Sequence, residues 1–431
     1  MTDSAAGKPT PKSTPPFDLE LTGMAHGGNA IGRLQGRTIF VPYVLPGERI
    51  SARLTQDKGR FAYAEALSLK GKPSTERVEP PCPYFGPGKC GGCHWQHIRY
   101  EAQLRFKENI VRDQLQRLGG VAHPQVFPTI GSPDPYEYRS HVTFSITPDG
   151  HPGFVGTDNE QVIAVDDCLI MRPELRGLLH EIELDLPTLA RVRMQVGSDS
   201  ADLLLALTTT DDQPPGLELD IPASVNFLPS DNVPVNLIGS THVRYQIRHR
   251  QFRVTAGGFF QVNLPQAEKL VDLVLERLDL QGDESVLDLY AGVGLFTAFL
   301  AERASMVTSV ESYPPAVSDA DENLADLDNI ELIEGSVEDV LGALDGPFDA
   351  VVVDPPRQGL EGAALDGIVR HQPRLIVYVS CDPATLARDT KRFSTQGYAL
   401  RHVQPVDMFP QTYHIEAVAV FDRVQPRSRS R

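Results

Sequence analysis

The 431-residue chain lacks any run of eighteen apolar residues, so no membrane-spanning helix is expected. It also lacks an apolar segment near its start. Residues 1–16 are rich in Pro, Ser, Thr and Lys and read as a disordered lead rather than a secretory leader, which makes a cytoplasmic protein the expectation. Low-complexity blocks and a fixed repeat period are missing. Cysteines number only five, which does not suit a disulfide framework in a chain of this length. What is present is ordinary for a globular protein: 41% apolar and 23% charged residues, with length for two to four domains.

The net charge of −17 speaks superficially against a nucleic-acid partner. Its distribution does not. Residues 1–140 hold 18 Lys+Arg against 13 Asp+Glu, leaving 22 against 44 for the remainder. From Asn232 to Ala267 there is no acid, yet Arg244, Arg248, Arg250 and Arg253 fall there. A basic N-terminal third and a basic central ribbon could follow a phosphate backbone, or could be a solvated edge strand.

Four segments with strand character (17–21, 38–44, 49–54 and 61–67), punctuated by Gly27-Gly28 and Pro46-Gly47, predict a small oligonucleotide-binding-type barrel over 17–72. A helix is expected over 97–118, its stripe formed by Ile98, Leu104, Ile110, Val111, Leu115 and Leu118. It lies within a β-rich central domain spanning 73–255 and could pack on the C-terminal domain. From 256 to 423 strands and helices alternate: 285–289, 306–310, 330–333, 348–353, 375–379 and 417–421 read as strands of a doubly wound α/β sheet. Residues 424–431 read as a basic, frayed tail. The fold class is therefore multidomain, α/β and β.

The first α/β strand runs into Asp288-Leu289-Tyr290-Ala291-Gly292-Val293-Gly294, and the next ends at Glu311, placed to accept from ribose hydroxyls. Glycines at 292 and 294 let backbone approach a ligand. Thr297 stands where a dinucleotide fingerprint has its third glycine, and no phosphate-cradling lysine comes after it. A nucleoside cofactor without phosphates, such as S-adenosylmethionine, fits better than NAD. A later strand ends in Asp354-Pro355-Pro356-Arg357, a rigid loop at the sheet edge where α/β folds bind ligands.

Cys82, Cys90, Cys93 and Cys168 carry spacing suited to a four-thiolate metal site, for which zinc and a [4Fe–4S] cluster both qualify. Cys381 stands apart, between the apolar run Leu375–Val379 and a helix opened by Asp382-Pro383. Unpaired backbone N–H groups at such a junction favour a thiolate, so a lowered pKa is expected there.

Together these segments resemble the bacterial RNA 5-methyluridine (uracil-C5) methyltransferases over almost the whole chain. Gly23–Gly28 and Val41–Glu48 are similar to the family's RNA-binding TRAM barrel. Cys90-Gly91-Gly92-Cys93 with Gln96-His97, Tyr100, Gln103-Leu104 and Lys107 is similar to its iron–sulfur segment. Gly258-Phe259-Phe260-Gln261-Val262-Asn263, Asp354-Pro355-Pro356-Arg357-x-Gly359, Ser380-Cys381-Asp382-Pro383 and Asp407–Pro410 with Thr412 and His414-Ile415-Glu416 complete the match.

The resemblance implies a Rossmann-like class I methyltransferase domain and an S-adenosylmethionine-dependent enzyme (EC 2.1.1.-) that forms 5-methyluridine in rRNA or tRNA. Cys381 would be the nucleophile and Glu416 the base. Gln261, Tyr290, Gly292, Gly294, Glu311 and Asp354 would meet the cofactor. Cys82, Cys90, Cys93 and Cys168 would hold a [4Fe–4S] cluster, with zinc the second choice. A monomer with RNA as partner is expected. Two departures stand out: the insert Pro83–Lys89 is longer than the family pattern, and Leu295 replaces an Asn common in relatives. The alternatives are amino-group methylation of RNA, whose Pro-Pro loop continues with an aromatic residue where Arg357 stands here, and a metal-stabilised RNA-binding protein without catalysis.

Overall fold

The computed structural model describes residues 15–184, 186–217 and 221–424, so the expected lead and tail fall almost entirely outside the described residues. Five strands come first: β1 (Phe17–Met24), β2 (Ala30–Leu34), β3 (Arg37–Val41), β4 (Arg49–Asp57) and β5 (Phe61–Lys70). They close into a barrel in the order β1-β2-β3-β5-β4. Alternate residues such as Leu19 and Leu21, or Ile50 and Ala52, fill its interior. β2 is additional to the expected strands. Its centre is Gly32, where a Cβ would lie 2.5 Å from the Glu20 carbonyl oxygen; the close crossing over β1 requires glycine and weakens the strand pattern.

The cysteine-bearing segment leads into α1 (Tyr100–Arg117), shorter than the expected 97–118. The central region comprises β6 (His141–Ile146), β7 (Pro152–Val155), β8 (Val162–Ala164), α2 (Pro173–Glu181), β9 (Leu189–Val196), β10 (Leu203–Thr209), β11 (Ser224–Phe227) and β12 (Val235–Ile238). Its seven strands form one sheet in the order β12-β11-β10-β9-β6-β7-β8. One face, with Val142, Phe144, Val192, Met194 and Leu205, packs on Leu175 and Leu178 of α2.

The hairpin β13 (His242–Ile247) and β14 (Arg250–Thr255) belongs by packing to the C-terminal α/β domain. Tyr245, Ile247, Phe252 and Val254 share a core with α3 (Leu264–Leu278), although the pattern change in the sequence falls after residue 255. The basic ribbon, readable from the sequence either as a phosphate track or as a solvated edge strand, is tied to carboxylates. Arg248 pairs with Asp272 at 2.6 Å, Arg250 with Asp326 at 2.5 Å, Arg253 with Glu322 and Asp319, and Arg244 with Glu322 at 4.0 Å. An acid-free stretch of sequence folds against acids supplied by the helices beside it.

The remaining elements are β15 (Ser285–Leu289), α4 (Leu295–Ala301), β16 (Met306–Glu311), α5 (Pro314–Asn323), β17 (Ile330–Glu334), α6 (Val337–Ala343), β18 (Ala350–Val353), α7 (Gly362–Arg370), β19 (Leu375–Ser380), α8 (Pro383–Thr395), β20 (Tyr398–Val406) and β21 (Glu416–Arg423). The sheet order is β17-β16-β15-β18-β19-β21-β20. β15 to β19 are parallel, and β21 runs antiparallel to both its neighbours. β20 is hidden in the sequence because Arg401, Gln404 and Pro405 interrupt its apolar residues. Separate apolar cores cover the two faces of this sheet. On one face α1 lies against α8 and β20, placing Ile110, Val111 and Leu115 with Leu386, Ala387 and Val403.

Candidate active site

Strand register assembles the site. β18 and β19 pair Val353 with Tyr378, so Asp354 and Cys381 leave neighbouring strands at the same sheet edge. β19 and β21 pair Ser380 with Ala417, which sets Glu416 beside Cys381 from an antiparallel strand. Asp288 lies one strand further, paired with Val352. The Asp-Pro-Pro loop is held from behind by Asp389, which accepts from the Leu360 N–H at 2.9 Å and the Tyr378 hydroxyl at 3.1 Å. Gly359 sits there at φ 71°, where a Cβ would lie 2.6 Å from both Arg388 and Asp389.

In the glycine loop, Gly292 and Gly294 have φ of 57° and 85°, and Tyr290 is left-handed at 60°. A Cβ on Gly292 would meet no atom within 4 Å, so this position faces open space, whereas one on Gly294 would press on Leu324. Glu311 accepts from the Gly292 N–H at 2.8 Å and from Ser312 and Tyr313 N–H at 2.8 and 2.7 Å. Its carboxylate thus shapes the loop. Thr297, absent from the dinucleotide pattern, donates to the buried Asp288 at 2.6 Å. The Tyr290 hydroxyl donates to Glu338 at 3.0 Å. Gln261 is buried, while its neighbour Phe259 is 67% exposed.

The electrostatics correct one expectation. The Cys381 thiol is not lowered but pushed up to about 12, by burial first and then by the Glu416 and Asp354 carboxylates, with Arg357 opposing. The start of α8 gives no help: its free N–H groups at Ala384 and Thr385 are taken by the Asp382 carboxylate at 2.8 and 3.0 Å, and Pro383 has none. Burial raises Asp354 to about 7, with Asp288 adding, and Asp288 likewise to about 7. Glu416 is raised well above the carboxylate range by burial and by Asp354. One oxygen each of Glu416 and Asp288 is buried without a partner. Such a basin of enclosed carboxyl groups favours a cation.

Two contacts reach the site from elsewhere. His26, on the turn between β1 and β2, lies 3.4 Å from Asp382, the residue after Cys381. The same turn receives the Trp95 indole N–H on the Gly28 carbonyl at 3.0 Å. Sequence spacing offers no signal for these long-range contacts.

Cys82, Cys90, Cys93 and Cys168 all line one cavity of about 400 Å³, which His414 also borders. Among the described residues no three His, Cys, Asp or Glu side chains are grouped closely enough to hold a metal ion, so the four-thiolate site is gathered but not formed as a single-ion cage. Aromatic residues of the central region serve its packing. Phe144 packs on Phe154 with centroids 4.7 Å apart, and the buried Tyr138 donates to the Pro410 carbonyl at 3.1 Å. No helix among the described residues is long and apolar enough to cross a membrane.

The tRNA (uracil-5-)-methyltransferase family model matches residues 239–424, and the TRAM domain model matches residues 17–67. An uncharacterized RNA methyltransferase of Streptomyces coelicolor is 37% identical over 94% of this chain and 92% of its own length. One from Halalkalibacterium halodurans is 34% identical over 94% and 96%. Among solved structures, the tRNA (uracil-54, C5)-methyltransferase of Pyrococcus abyssi in complex with S-adenosyl-L-homocysteine superposes with a TM-score of 0.72 at 27% identity, covering 94% of this chain and 99% of that one. A TRAM barrel followed by a methyltransferase sheet, matched along nearly its full length, places this chain in the S-adenosylmethionine-dependent RNA uracil-5-methyltransferase family.

Proposed function

We propose that this enzyme methylates C5 of a specific uridine in structured RNA through a covalent adduct between Cys381 and C6 of the base. The observation that carries the reading is the convergence of a lone thiol, Cys381, and a buried carboxyl, Glu416, at one sheet edge beside Asp354.

S-adenosylmethionine supplies an electrophilic methyl group on a cationic sulfonium. The donor set fits it: open space at Gly292, the carboxylate of Glu311 at the loop, and buried carboxyl groups lacking a cation. Gln261, Tyr290, Gly292, Gly294, Glu311 and Asp354 would hold it.

C5 of uracil is a weak nucleophile. Addition of the Cys381 sulfur at C6 would move the ring's electron pair toward C5 and the O4 enolate, so that C5 could take up the methyl group as the methyl–sulfonium bond breaks and its electron pair stays on sulfur as a neutral thioether. Glu416 removes the C5 proton, the electron pair re-forms the C5–C6 double bond, and the sulfur leaves as thiolate. The resting thiol is protonated, so its proton must leave when the base arrives. Arg357, exposed and already drawing both Cys381 and Glu416 toward their charged forms, is the cation placed to assist. The base must leave its stack to reach this edge, and the exposed ring of Phe259 beside Gln261 offers it a stacking face.

A [4Fe–4S] cluster in the four-cysteine cavity belongs to the same proposal. The four thiols border one space, and four thiolates suit a cluster or zinc alike; the family resemblance of Cys90-Gly91-Gly92-Cys93 is what favours the cluster. Its role would be structural, and no catalytic step uses it.

Cys381→Ala should abolish 5-methyluridine formation and leave S-adenosylmethionine binding intact; a variant that still methylates sinks the nucleophile assignment. Glu416→Gln should trap an RNA–protein adduct that survives a denaturing gel. Mapping 5-methyluridine in total RNA from a deletion strain, rRNA and tRNA alike, identifies the target.

A further inference from the structure

Most arginines of this acidic chain are paired with carboxylates, but those lining the cysteine cavity are not. The side of the central sheet turned away from its apolar core carries a row set by strand register: His141 opposite Gln195, Thr143 opposite Arg193, and Ser145 opposite Arg191. The adjoining residues of β10 are Leu204, Ala206 and Thr208. No acid stands among these positions, in a chain of net charge −17. Arg139, His141, Thr143 and Arg193 all line the cavity of about 400 Å³.

The guanidinium of Arg193 makes one hydrogen bond, donating to the Gly258 carbonyl at 2.8 Å, and its Nε is buried without a partner. The Nε of Arg139 and the Nδ1 of His141 are likewise buried and unpartnered. An enclosed cation without an anion is costly, and a bound anion removes that cost. His414 borders the same cavity and lies in the field of Arg357, whose charge also bears on Cys381. His414 thus stands where the cavity meets the surroundings of Arg357.

We propose that Arg193 and His141, with Thr143 and Arg139, form a phosphate-binding site that grips the RNA backbone beside the methylated uridine. The site deepens the reading of this protein as an RNA methyltransferase and rests on it. A phosphodiester suits the donors: guanidinium and imidazole N–H groups together with a hydroxyl, while the carboxylate that lines the same cavity, Asp167, is already paired with Arg176 at 2.7 Å. The hydrogen bond from Arg193 to Gly258 also ties the grip to the segment that carries Phe259 and Gln261.

The test titrates bulk bacterial tRNA onto the full-length, metal-loaded enzyme across a series of KCl concentrations and scores binding, not methylation. Arg193→Gln and His141→Gln should each weaken binding about tenfold at low salt. Arg193→Gln should also lower the slope of log Kd against log salt by about 1, the signature of one lost cationic phosphate contact, whereas His141→Gln removes a neutral donor, held uncharged by burial and the neighbouring arginines, and should leave the slope unchanged. Affinity for S-adenosylmethionine should hold, and Arg193→Lys should recover most of the slope. Should Arg193→Gln fail to fold, the exposed Arg191→Gln on the same row decides, with a smaller fall of the slope in the same direction. An unchanged slope for Arg193→Gln, or undiminished binding by His141→Gln, overturns the proposal. So does loss of S-adenosylmethionine affinity alone, which would leave Arg193 as a prop for Gly258, or loss of bound metal alone, which would make these cations partners of the cysteine cluster. Because the readout is binding, a wild-type enzyme that forms no 5-methyluridine would sink the proposed reaction and leave this site standing.

Discussion

Lys107 of α1 donates to Asp407 at 2.5 Å in a fully buried ion pair between residues 300 positions apart. Lys107 also donates to the Phe409 carbonyl at 3.1 Å, while the second oxygen of Asp407 is buried without a donor among the described residues. The pair fixes the start of the loop that ends at Glu416. Lys107→Met should destabilise the protein by about 3–5 kcal/mol, because it strands a buried carboxylate. The double variant Lys107→Met with Asp407→Leu should recover much of that loss. Chemical denaturation midpoints check both; a single variant as stable as wild type would mean that the pair contributes nothing.

Asp354 is raised from 3.8 to about 7 in the fold, so between those values the folded protein binds more protons than the unfolded chain. Its contribution to stability therefore declines as pH rises through that window. Asp354→Asn should raise the Tm of the cofactor-free protein at pH 8 by a few degrees, on the order of 2 kcal/mol, and change it little at pH 4, while methyl transfer collapses. A Tm difference independent of pH would contradict the burial of this carboxyl as a charged group.

Alkylation of Cys381, followed on its own peptide by mass spectrometry, reports the thiol directly. At pH 8 the free enzyme should react slowly there, compared with an ordinary exposed thiol of pKa about 8.5. Glu416→Gln and Asp354→Asn remove the carboxylates that push the thiol up, so each should speed the reaction severalfold, and Arg357→Gln should slow it. Equal rates in all four proteins would show that Cys381 does not sense these neighbours.

Gly28 occupies φ 84° with the Tyr413 ring so near that a Cβ would lie 2.7 Å from it. Gly28→Ala should cost about 1–3 kcal/mol and loosen the barrel turn from the candidate active site. Limited proteolysis between the barrel and α1 should quicken. An alanine variant with unchanged melting and cleavage would show that the turn does not need this close approach.

Much of the architecture is legible in local pattern. The parallel strands are continuous apolar runs bounded by turn residues, and the glycine loop and Asp-Pro-Pro loop come directly after them, so 285–289 and 375–379 can be placed from the sequence. β2 and β20 cannot, since Gly32 in one and Arg401, Gln404 and Pro405 in the other obscure the strand pattern. At the site, Cys381, Glu416 and Asp354 are recognisable by motif. The sign of the thiol's shift is not, because it depends on carboxylates from two other strands and on Asp382 consuming the helix N–H groups. The arginines of the hairpin mislead for the same reason: their partners Asp272, Glu322 and Asp326 come from later in the chain.

The packing of α1 also has a consequence for how the chain is made. Ile110, Val111 and Leu115 have their cover in α8 and β20, and Val126 and Ile130 pair with Val403 and Val406. Those partners leave the ribosome roughly 300 residues later, a delay of about 15–60 s at ordinary elongation rates. Throughout that interval the apolar stripe of an otherwise polar helix waits uncovered, with Lys107 still in water. Synthesis must nearly finish before α1 can close on α8 and β20, so its apolar stripe is a surface that a chaperone could cover meanwhile.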